Sequence, residues 1–206
     1  MKLFAALLLA VAIGAPAAAQ EKPASAPETV TAGPPRALKY RFVPAQSSIT
    51  FEVPTSFHVI QGKVDAWHGS VAVEPEPPGV LQARIVVRAD GLETGKAKRD
   101  LEFRDKMFEA ARFPEIVFEG ASYKGNLSKV DPGAVTTVEV TGTLTMHGVS
   151  KPIQTSIECA VLPDHVVVAG AVSVVWKSFG LGDLSKMLLR IKEPMLVAFR
   201  LWAVPE

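Results

Sequence analysis

The sequence predicts an all-β fold of about eight antiparallel strands with one inserted amphipathic helix. The strand spacings suit a sandwich or a barrel, and we predict a closed barrel. Two observations support this prediction. Apolar and polar residues alternate with a period of two along most of the chain after residue 37, as in strands with one buried face. Residues 96–112 break the alternation, because they contain strong helix formers and no β-branched residue.

The strand predictions follow the alternation along the chain. Within residues 81–89 the apolar side chains fall on one face, with Val86 as an exception on the other. These residues are Leu81, Ala83, Ile85, Val87 and Ala89. The same pattern predicts strands over residues 138–146, 153–161, 166–176 and 196–204. Gly148 lies in a tight hairpin connection between the first two of these strands.

The predicted helix covers residues 96–112. Leu101, Phe108 and Ala111 fall on one stripe at helical spacing, and charged residues such as Lys98 occupy the rest of the surface. Pro114 and the extended segment after it end the helix. We expect this helix to cover one end of the barrel or to pack across an opening.

The first residues have the layout of an export signal. Lys2 precedes an apolar run, and Ala17 and Ala19 occupy the small-residue positions of a cleavage site. The run is too short to cross a bilayer as a helix, which needs about 20 residues. We therefore predict a signal peptide over residues 1–19 and a periplasmic or secreted protein with no transmembrane segment after cleavage. An uncleaved signal anchor is the alternative.

The predicted mature chain begins with a tether and continues as one domain. Residues 20–36 are dominated by Pro, Ala, Thr, Ser and Gly, a composition that favours disorder. Residues 37–206 have the composition of a globular domain and enough length to form a core. The formal net charge is +1 and no basic stripe is visible, so the sequence does not indicate a nucleic-acid-binding protein. It also shows no exposed apolar stripe long enough to argue for a dimer.

The sequence contains no recognisable catalytic or metal-binding motif. The four histidines, His58, His68, His147 and His165, do not have the spacing of metal ligands. Cys159 cannot form an intramolecular disulfide because it is the only cysteine, and the alternation predicts a buried, inert thiol. His147 lies in a hairpin, where we expect it to cap a turn or hydrogen-bond locally. The prediction is a protein that is not an enzyme and uses no metal or cofactor.

Eight strands enclose an interior that either fills with side chains or holds one small ligand. Small residues predicted to face inward, such as Ala83, Gly142 and Gly170, favour a cavity. Bulky apolar residues are numerous enough to line it, and His58 is the histidine best placed to contact a ligand head group. The predicted ligand-binding residues are Phe42, Phe51, Phe57, His58, Phe103, Met107, Phe108, Phe118, Met146, Trp176 and Phe179.

Four segments, in order along the domain, resemble the YceI family. They are the opening strand YRFVPAQSSITF (residues 40–51), the helix and following strand (residues 99–118), the hairpin TGTLTMHGVSKP (residues 141–152) and the Phe179-Gly180 pair. The hairpin is similar to the family pattern G-x-L-T-x-H-G-V-T-K. The resemblance implies a lipocalin-like eight-stranded barrel, typically periplasmic, that binds long apolar chains such as polyisoprenoids or isoprenoid quinones.

This chain departs from the family pattern at polar positions. Val43 and Gln46 stand where the family often has Asp and His, and Trp176 and Ser178 where it often has Arg and an acidic residue. A phosphate head group would require a cation, so the loss of that Arg favours a neutral ligand.

Three functional hypotheses remain at this point. The first is a periplasmic carrier for an isoprenoid-type lipid or quinone, and the second is a stress or protein-interaction module with a solidly packed barrel. The third is a small hydrolase that uses His58 or His147. A cavity in the barrel distinguishes the first from the second.

Overall fold

A computed structural model describes residues 37–74, 79–127, 131–185 and 189–206. The predicted signal peptide and tether, residues 1–36, lie outside the described residues and stay predictions. Along the described residues, no helix is long and apolar enough to span a membrane. The strands are β1 Leu38–Phe42, β2 Ser48–Pro54, β3 Val59–Val64, β4 Trp67–Val73, β5 Gly79–Arg88, β6 Leu92–Glu93, β7 Glu115–Lys124, β8 Val135–Met146, β9 Val149–Val161, β10 Val166–Val174 and β11 Met195–Pro205.

The sheet closes on itself, which confirms the predicted eight-stranded antiparallel barrel. The strand order around the ring is β1-β4-β5-β7-β8-β9-β10-β11, and β11 returns to pair with β1 from Phe42↔Ala203 to Tyr40↔Pro205. Every pairing is antiparallel.

Three strands of the ring are extended by a second segment on the far side of a short break: β1 by β2, β4 by β3 and β5 by β6. A 3-10 turn at Pro44–Gln46 separates β1 from β2, and another at Ala89–Gly91 separates β5 from β6. The segments β2, β3 and β6 pair in that order beside β11, so they lengthen the wall at one end of the barrel.

The predicted alternation fixes which side chains enter the barrel. In β5, Ala83 is buried while its neighbour Arg84 is exposed and forms an ion pair with Glu119 on the adjacent strand. Val86, the predicted exception, faces the other side and is nevertheless 4% exposed. The alternation therefore assigns the inner face correctly, because successive side chains of a strand point to opposite sides.

The helix is shorter than predicted and turns a different face to the core. It comprises α1 Ala97–Glu102 and a π-helical turn, Phe103–Met107, in which the Phe108 N–H donates to the Phe103 carbonyl. The prediction of one continuous helix to residue 112 was wrong. Chain reversal follows at Glu109, whose φ is 45°.

The π turn also changes the buried stripe. Leu101 is 47% exposed and Ala111 is exposed, whereas Phe103, Met107 and Phe108 are buried. A π turn adds one residue to a helical turn and so rotates the residues that follow relative to α-helical spacing. The stripe that assumed regular spacing was therefore wrong for Ala111, which follows the turn. It was also wrong for Leu101, which precedes the turn on an exposed face of α1.

One end of the barrel is closed by a plug of apolar side chains. Phe103 and Met107 enter it from the helical segment, and Trp176, Phe179 and Leu181 enter it from the connection between β10 and β11. Trp176 is fully buried, and its Nε1 donates to the Lys192 carbonyl at 3.1 Å. The predicted strand 166–176 ran too far, because β10 ends at Val174 and Trp176 opens a 3-10 turn.

Replacement of Trp176 by Ala should lower the free energy of unfolding by about 3–5 kcal/mol, because it empties the centre of the plug. Val175 is 51% exposed and provides the control. Val175→Ala should change stability by no more than about 0.5 kcal/mol. Urea denaturation followed by circular dichroism measures both variants. Equal losses would show that Trp176 does not anchor the plug.

Candidate ligand-binding cavity

An internal cavity of about 350 Å³ occupies the barrel. Its wall consists of inward-facing side chains from the strands of the ring, together with Phe51 and Val53 of β2. Phe103, Met107 and Phe108 form its floor on the plug. The volume falls within the range of small-molecule sites, roughly 300–1,000 Å³.

Several inward-facing residues next to the cavity are only partly buried, unlike the residues at the centre of the plug. Val71, Ile85, Phe118 and Ile157 line the cavity and are only half-buried, although each points into the barrel. Met107, at the plug, has no exposed surface. The barrel interior is therefore packed at one end and leaves apolar surface uncovered above it.

Glycines in the wall make room for aromatic rings, not for the cavity. A Cβ on Gly142 would lie 2.6 Å from the ring of Phe118, and one on Gly170 would lie 2.9 Å from the ring of Phe199. Gly62 stands in the same relation to Phe51, and Gly79 to Tyr123. The rings lie against the wall over glycines of adjacent strands, an arrangement that pins strand register. The expectation that inward glycines directly create ligand space was therefore wrong for Gly142 and Gly170.

The cavity wall is almost entirely hydrocarbon. Among the described residues no charged side chain lines it, and its polar groups are the hydroxyls of Tyr40, Tyr123 and Thr155 and the thiol of Cys159. The Tyr123 hydroxyl donates to the Glu74 carbonyl at 2.7 Å, and that of Thr155 donates to the Ala171 carbonyl at 2.8 Å. An ionised group placed here would lose its hydration without a countercharge. The cavity therefore suits an uncharged, apolar chain.

The cavity extends from the plug toward the end of the barrel where β1 begins. We call this the distal end and define it by Leu38, Val73 and Val161, which line the cavity where three strands begin or end. Leu38 is 46% exposed although it lines the cavity.

The structure brings seven of the eleven predicted binding residues to the cavity. They are Phe42, Phe51, Phe103, Met107, Phe108, Phe118 and Met146. Trp176 and Phe179 are buried in the plug and do not line the cavity. Contact with a ligand stays a prediction for all of them.

Phe57 and His58 lie away from the cavity. They belong to the connection between β2 and β3, where Phe57 is 71% exposed and His58 is exposed. Thr55 holds this turn, because its Oγ1 donates to the His58 carbonyl at 2.6 Å and accepts from the His58 N–H at 3.2 Å. His58 precedes β3, which starts at Val59, so it lies outside the wall that it was predicted to share with a ligand head group.

Aliphatic residues form most of the wall, and the predicted binding residues did not include them. Ile85, Val140, Ile157 and Val168 are examples. The period-two alternation contained this information, since the inner face of each strand is apolar. A choice based on aromatic bulk instead selected Phe57, Trp176 and Phe179, which the chain uses elsewhere.

Cys159 is buried, as predicted, and lines the cavity. Burial raises the pKa of its thiol to about 11, because desolvation disfavours the thiolate. It therefore adds a small, uncharged surface to the wall.

His147 forms a local contact at the plugged end. It has a φ of 54° in the turn between β8 and β9, and its Nε2 lies 3.3 Å from Oε1 of Glu109. Its ring packs 4.2 Å from that of Phe113. The Arg112 guanidinium, and after it His147, holds the pKa of the Glu109 carboxyl below its usual value. The described residues contain no group of three or more side chains arranged to hold a metal ion.

The fold and the cavity define a closed antiparallel β-barrel with an apolar interior and a plug at one end. The chain belongs to the YceI-like domain family, whose model matches residues 40–201.

Curated relatives match part of the chain. A UPF0312 protein of Pseudomonas syringae pv. tomato is 31% identical over 98 residues, and one of Yersinia pestis is 28% identical over 95 residues. The Pseudomonas match covers 47% of this chain and 47% of that protein. The Yersinia match covers 46% of this chain and 45% of that protein. The chain thus matches about half the length of these relatives.

Solved structures share the fold at low sequence identity. A polyisoprenoid binding domain from Saccharophagus degradans, implicated in plant cell wall breakdown, superposes with a TM-score of 0.66 at 18% identity over 82% of this chain and 99% of that one. BcnA of Burkholderia cenocepacia gives 0.65 at 16% identity over 79% and 99%. The YceI protein of Campylobacter jejuni gives 0.54 at 15% identity over 71% and 85%.

Alkylation of Cys159 tests the burial of the cavity wall. At about pH 8, iodoacetamide should modify it on the order of a hundredfold more slowly than an exposed cysteine, because the thiolate is scarce. The rate should rise with pH until the thiol ionises near pH 11, the value to which burial raises its pKa. Protein unfolded in guanidinium supplies the control and should react at the ordinary rate. Equal rates for folded and unfolded protein would contradict this description of the wall.

Proposed function

We propose that this protein is a non-catalytic carrier that holds a long apolar chain in its barrel, with an isoprenoid-type lipid or quinone as the ligand. The observation that carries the proposal is the cavity of about 350 Å³, whose wall has no charged side chain among the described residues. Burial of apolar surface contributes roughly 25 cal/mol per Å², so a hydrocarbon chain gains affinity from the whole wall. The Saccharophagus structure, described as a polyisoprenoid binding domain, supports the choice of ligand class.

The composition of the wall also indicates which kind of ligand head group the cavity accepts. Tyr40 offers a hydroxyl near the distal end, and within the described ranges no cation lines the wall beside it. A neutral head group such as an alcohol or a quinone fits these surroundings better than a diphosphate, which would need Arg or Lys. The first residues, with the layout of an export signal, support a periplasmic site of action.

The alternative hypothesis, a stress or protein-interaction module, predicts a barrel interior that is filled with side chains. The half-buried inner faces of Ile85, Phe118 and Ile157 favour binding over that alternative. The hydrolase alternative has less support, because His58 and His147 both lie outside the cavity.

Native mass spectrometry of the full-length chain, expressed in a Gram-negative host and purified from the periplasm, tests the proposal. We expect a mass excess that is removed by organic extraction and identified as an isoprenoid lipid or quinone. Protein that carries no such mass and also fails to take up added geranylgeraniol or ubiquinone would contradict the proposal. Recovery of the protein from the cytoplasm alone would contradict the proposed location.

A polar substitution in the wall should weaken binding. Ile157→Gln places an amide against the ligand, and an unsatisfied buried amide costs about 1–3 kcal/mol, which corresponds to roughly a tenfold to hundredfold rise in Kd. Ser156→Gln places the same side chain on the outer face, where Ser156 is exposed, and should leave Kd unchanged. Titration with a fluorescent geranylgeranyl probe measures both. Equal affinities for the two variants would show that the ligand does not occupy the cavity.

A further inference from the structure

The barrel wall has a seam where pairing between two adjacent strands stops. The β9–β10 ladder runs from Val166↔Val161 to Gly170↔Ile157 and forms no further rung. Below that point β9 continues to Val149 as a partner of β8, and β10 continues to Val174 as a partner of β11. We call the stretch between residues 149–155 of β9 and residues 172–174 of β10 the seam.

The cavity lies directly behind the seam. Ile153 and Thr155 line it from the β9 side, and Val172 and Val174 line it from the β10 side. Ile153, Thr155 and Val172 are half-buried. Residues on opposite sides of an unpaired stretch therefore share one apolar surface that faces the cavity.

A hydrogen bond from a side chain replaces the ladder at the start of the seam. The Thr155 hydroxyl donates to the Ala171 carbonyl at 2.8 Å. Pro152, within the seam, has no N–H to donate, and proline in a sheet is largely confined to strands with a free edge. Separation of β9 from β10 here requires far fewer bonds to break than separation of two fully paired strands.

The course of β10 accounts for the seam. After Val174 the chain enters the plug, where Trp176 is fully buried and bonded to the Lys192 carbonyl. β9 instead follows β8 to the hairpin at Gly148. The two strands diverge because their ends are attached to different parts of the plugged end.

The outer side of the seam offers little resistance to a hydrocarbon. Beside the seam, the outward-facing residues of β10 are Ala171 and Ser173, which are small and uncharged. The distal end, by contrast, has charged residues beside it, among them Lys39 and Glu206, whose N–H donates to the Lys39 carbonyl. Lys151 is the charged residue of the seam, and it lies toward the plug, with its Nζ 5.9 Å from the centre of the Phe179 ring. Passage of an apolar chain between Thr155 and Val172 therefore avoids the ions at the distal end.

We propose that the seam is a lateral portal through which the apolar chain enters and leaves the cavity, with the Thr155–Ala171 hydrogen bond as its closure. This inference rests on the proposed function, since it gives the route for the same ligand. Both association and dissociation pass through the portal, so its opening sets the two rates without fixing Kd.

A cross-link over the seam tests the proposal. In the full-length chain, Gln154→Cys and Ser173→Cys, both at exposed positions that would face each other if the register continued, are joined by a short bis-maleimide. Cys159 does not compete because its thiol is buried. We expect association and dissociation of an NBD-labelled geranylgeranyl probe to slow by about tenfold or more, as for a blocked gate, with Kd unchanged.

The control is a cross-link of the same kind in an intact ladder. Ala72→Cys and Gln82→Cys form an opposed pair on β4 and β5 and should leave both rates unchanged. Rates that are equal in the two cross-linked proteins and in the uncross-linked protein would overturn the portal and assign entry to the distal end. If the probe fails to bind any of the proteins at equilibrium, the proposed function itself fails, and the portal with it.

A second variant removes the closure without a cross-link. Thr155→Val deletes the hydrogen bond over the seam and should raise the association rate about fivefold, the effect of one lost bond. Thr50→Val is the matched control, because the Thr50 hydroxyl bonds the Ala198 carbonyl between β2 and β11, which are fully paired there. An association rate for Thr155→Val that equals that of Thr50→Val would contradict a closure at Thr155.

Discussion

Pairing of β11 with three other strands is the interaction on which the rest of the structure depends. On one side β11 pairs with β10 from Met195↔Val174 to Ala203↔Val166. On the other it pairs first with β2 and then with β1, whose pairing closes the ring. Closure removes the free edges of a sheet and forces one face of every strand into a common interior. An apolar inner face on each strand then produces an apolar enclosure.

The interior of the closed barrel is filled differently at its two ends. At the plugged end, segments outside the ladder deliver Met107 and Trp176, both with no exposed surface. Above the plug, aromatic rings lie against glycines of adjacent strands, as Phe118 does over Gly142 and Phe199 over Gly170. The rings thus cover the wall and do not reach across the centre, and the cavity remains between them.

The plug and the seam have a common origin. β10 is drawn toward the plug by Trp176, while β9 is held by β8 to the end of their hairpin, so the wall between them cannot stay paired. The side of the ring between β6 and β7 is occupied instead by the helical segment, and the Ala89 N–H donates to the Pro114 carbonyl beside it. One side of the plugged end is therefore spanned by packed structure. The other is bridged by the Thr155 hydroxyl and, closer to the plug, by the contact of Lys151 with the Phe179 ring.

The alternation of residues along the chain determined the strands predicted from it and their inner faces, because side-chain direction in a strand depends only on position. The same alternation suits a sandwich, so closure into a barrel depends on the pairing of β1 with β11. The alternation also determined that Cys159 is buried. The position of the helix in the chain was predictable, but the residues that it buries were not. The π turn at Phe103–Met107 and the reversal at Glu109 change the buried face where the segment packs against the barrel. Only the tertiary structure decided that Phe42 and Phe118 face the cavity, that Trp176 and Phe179 belong to the plug, and that Phe57 is exposed. All five are large aromatic residues near apolar neighbours in sequence, and their surroundings differ because strands distant in the chain supply them.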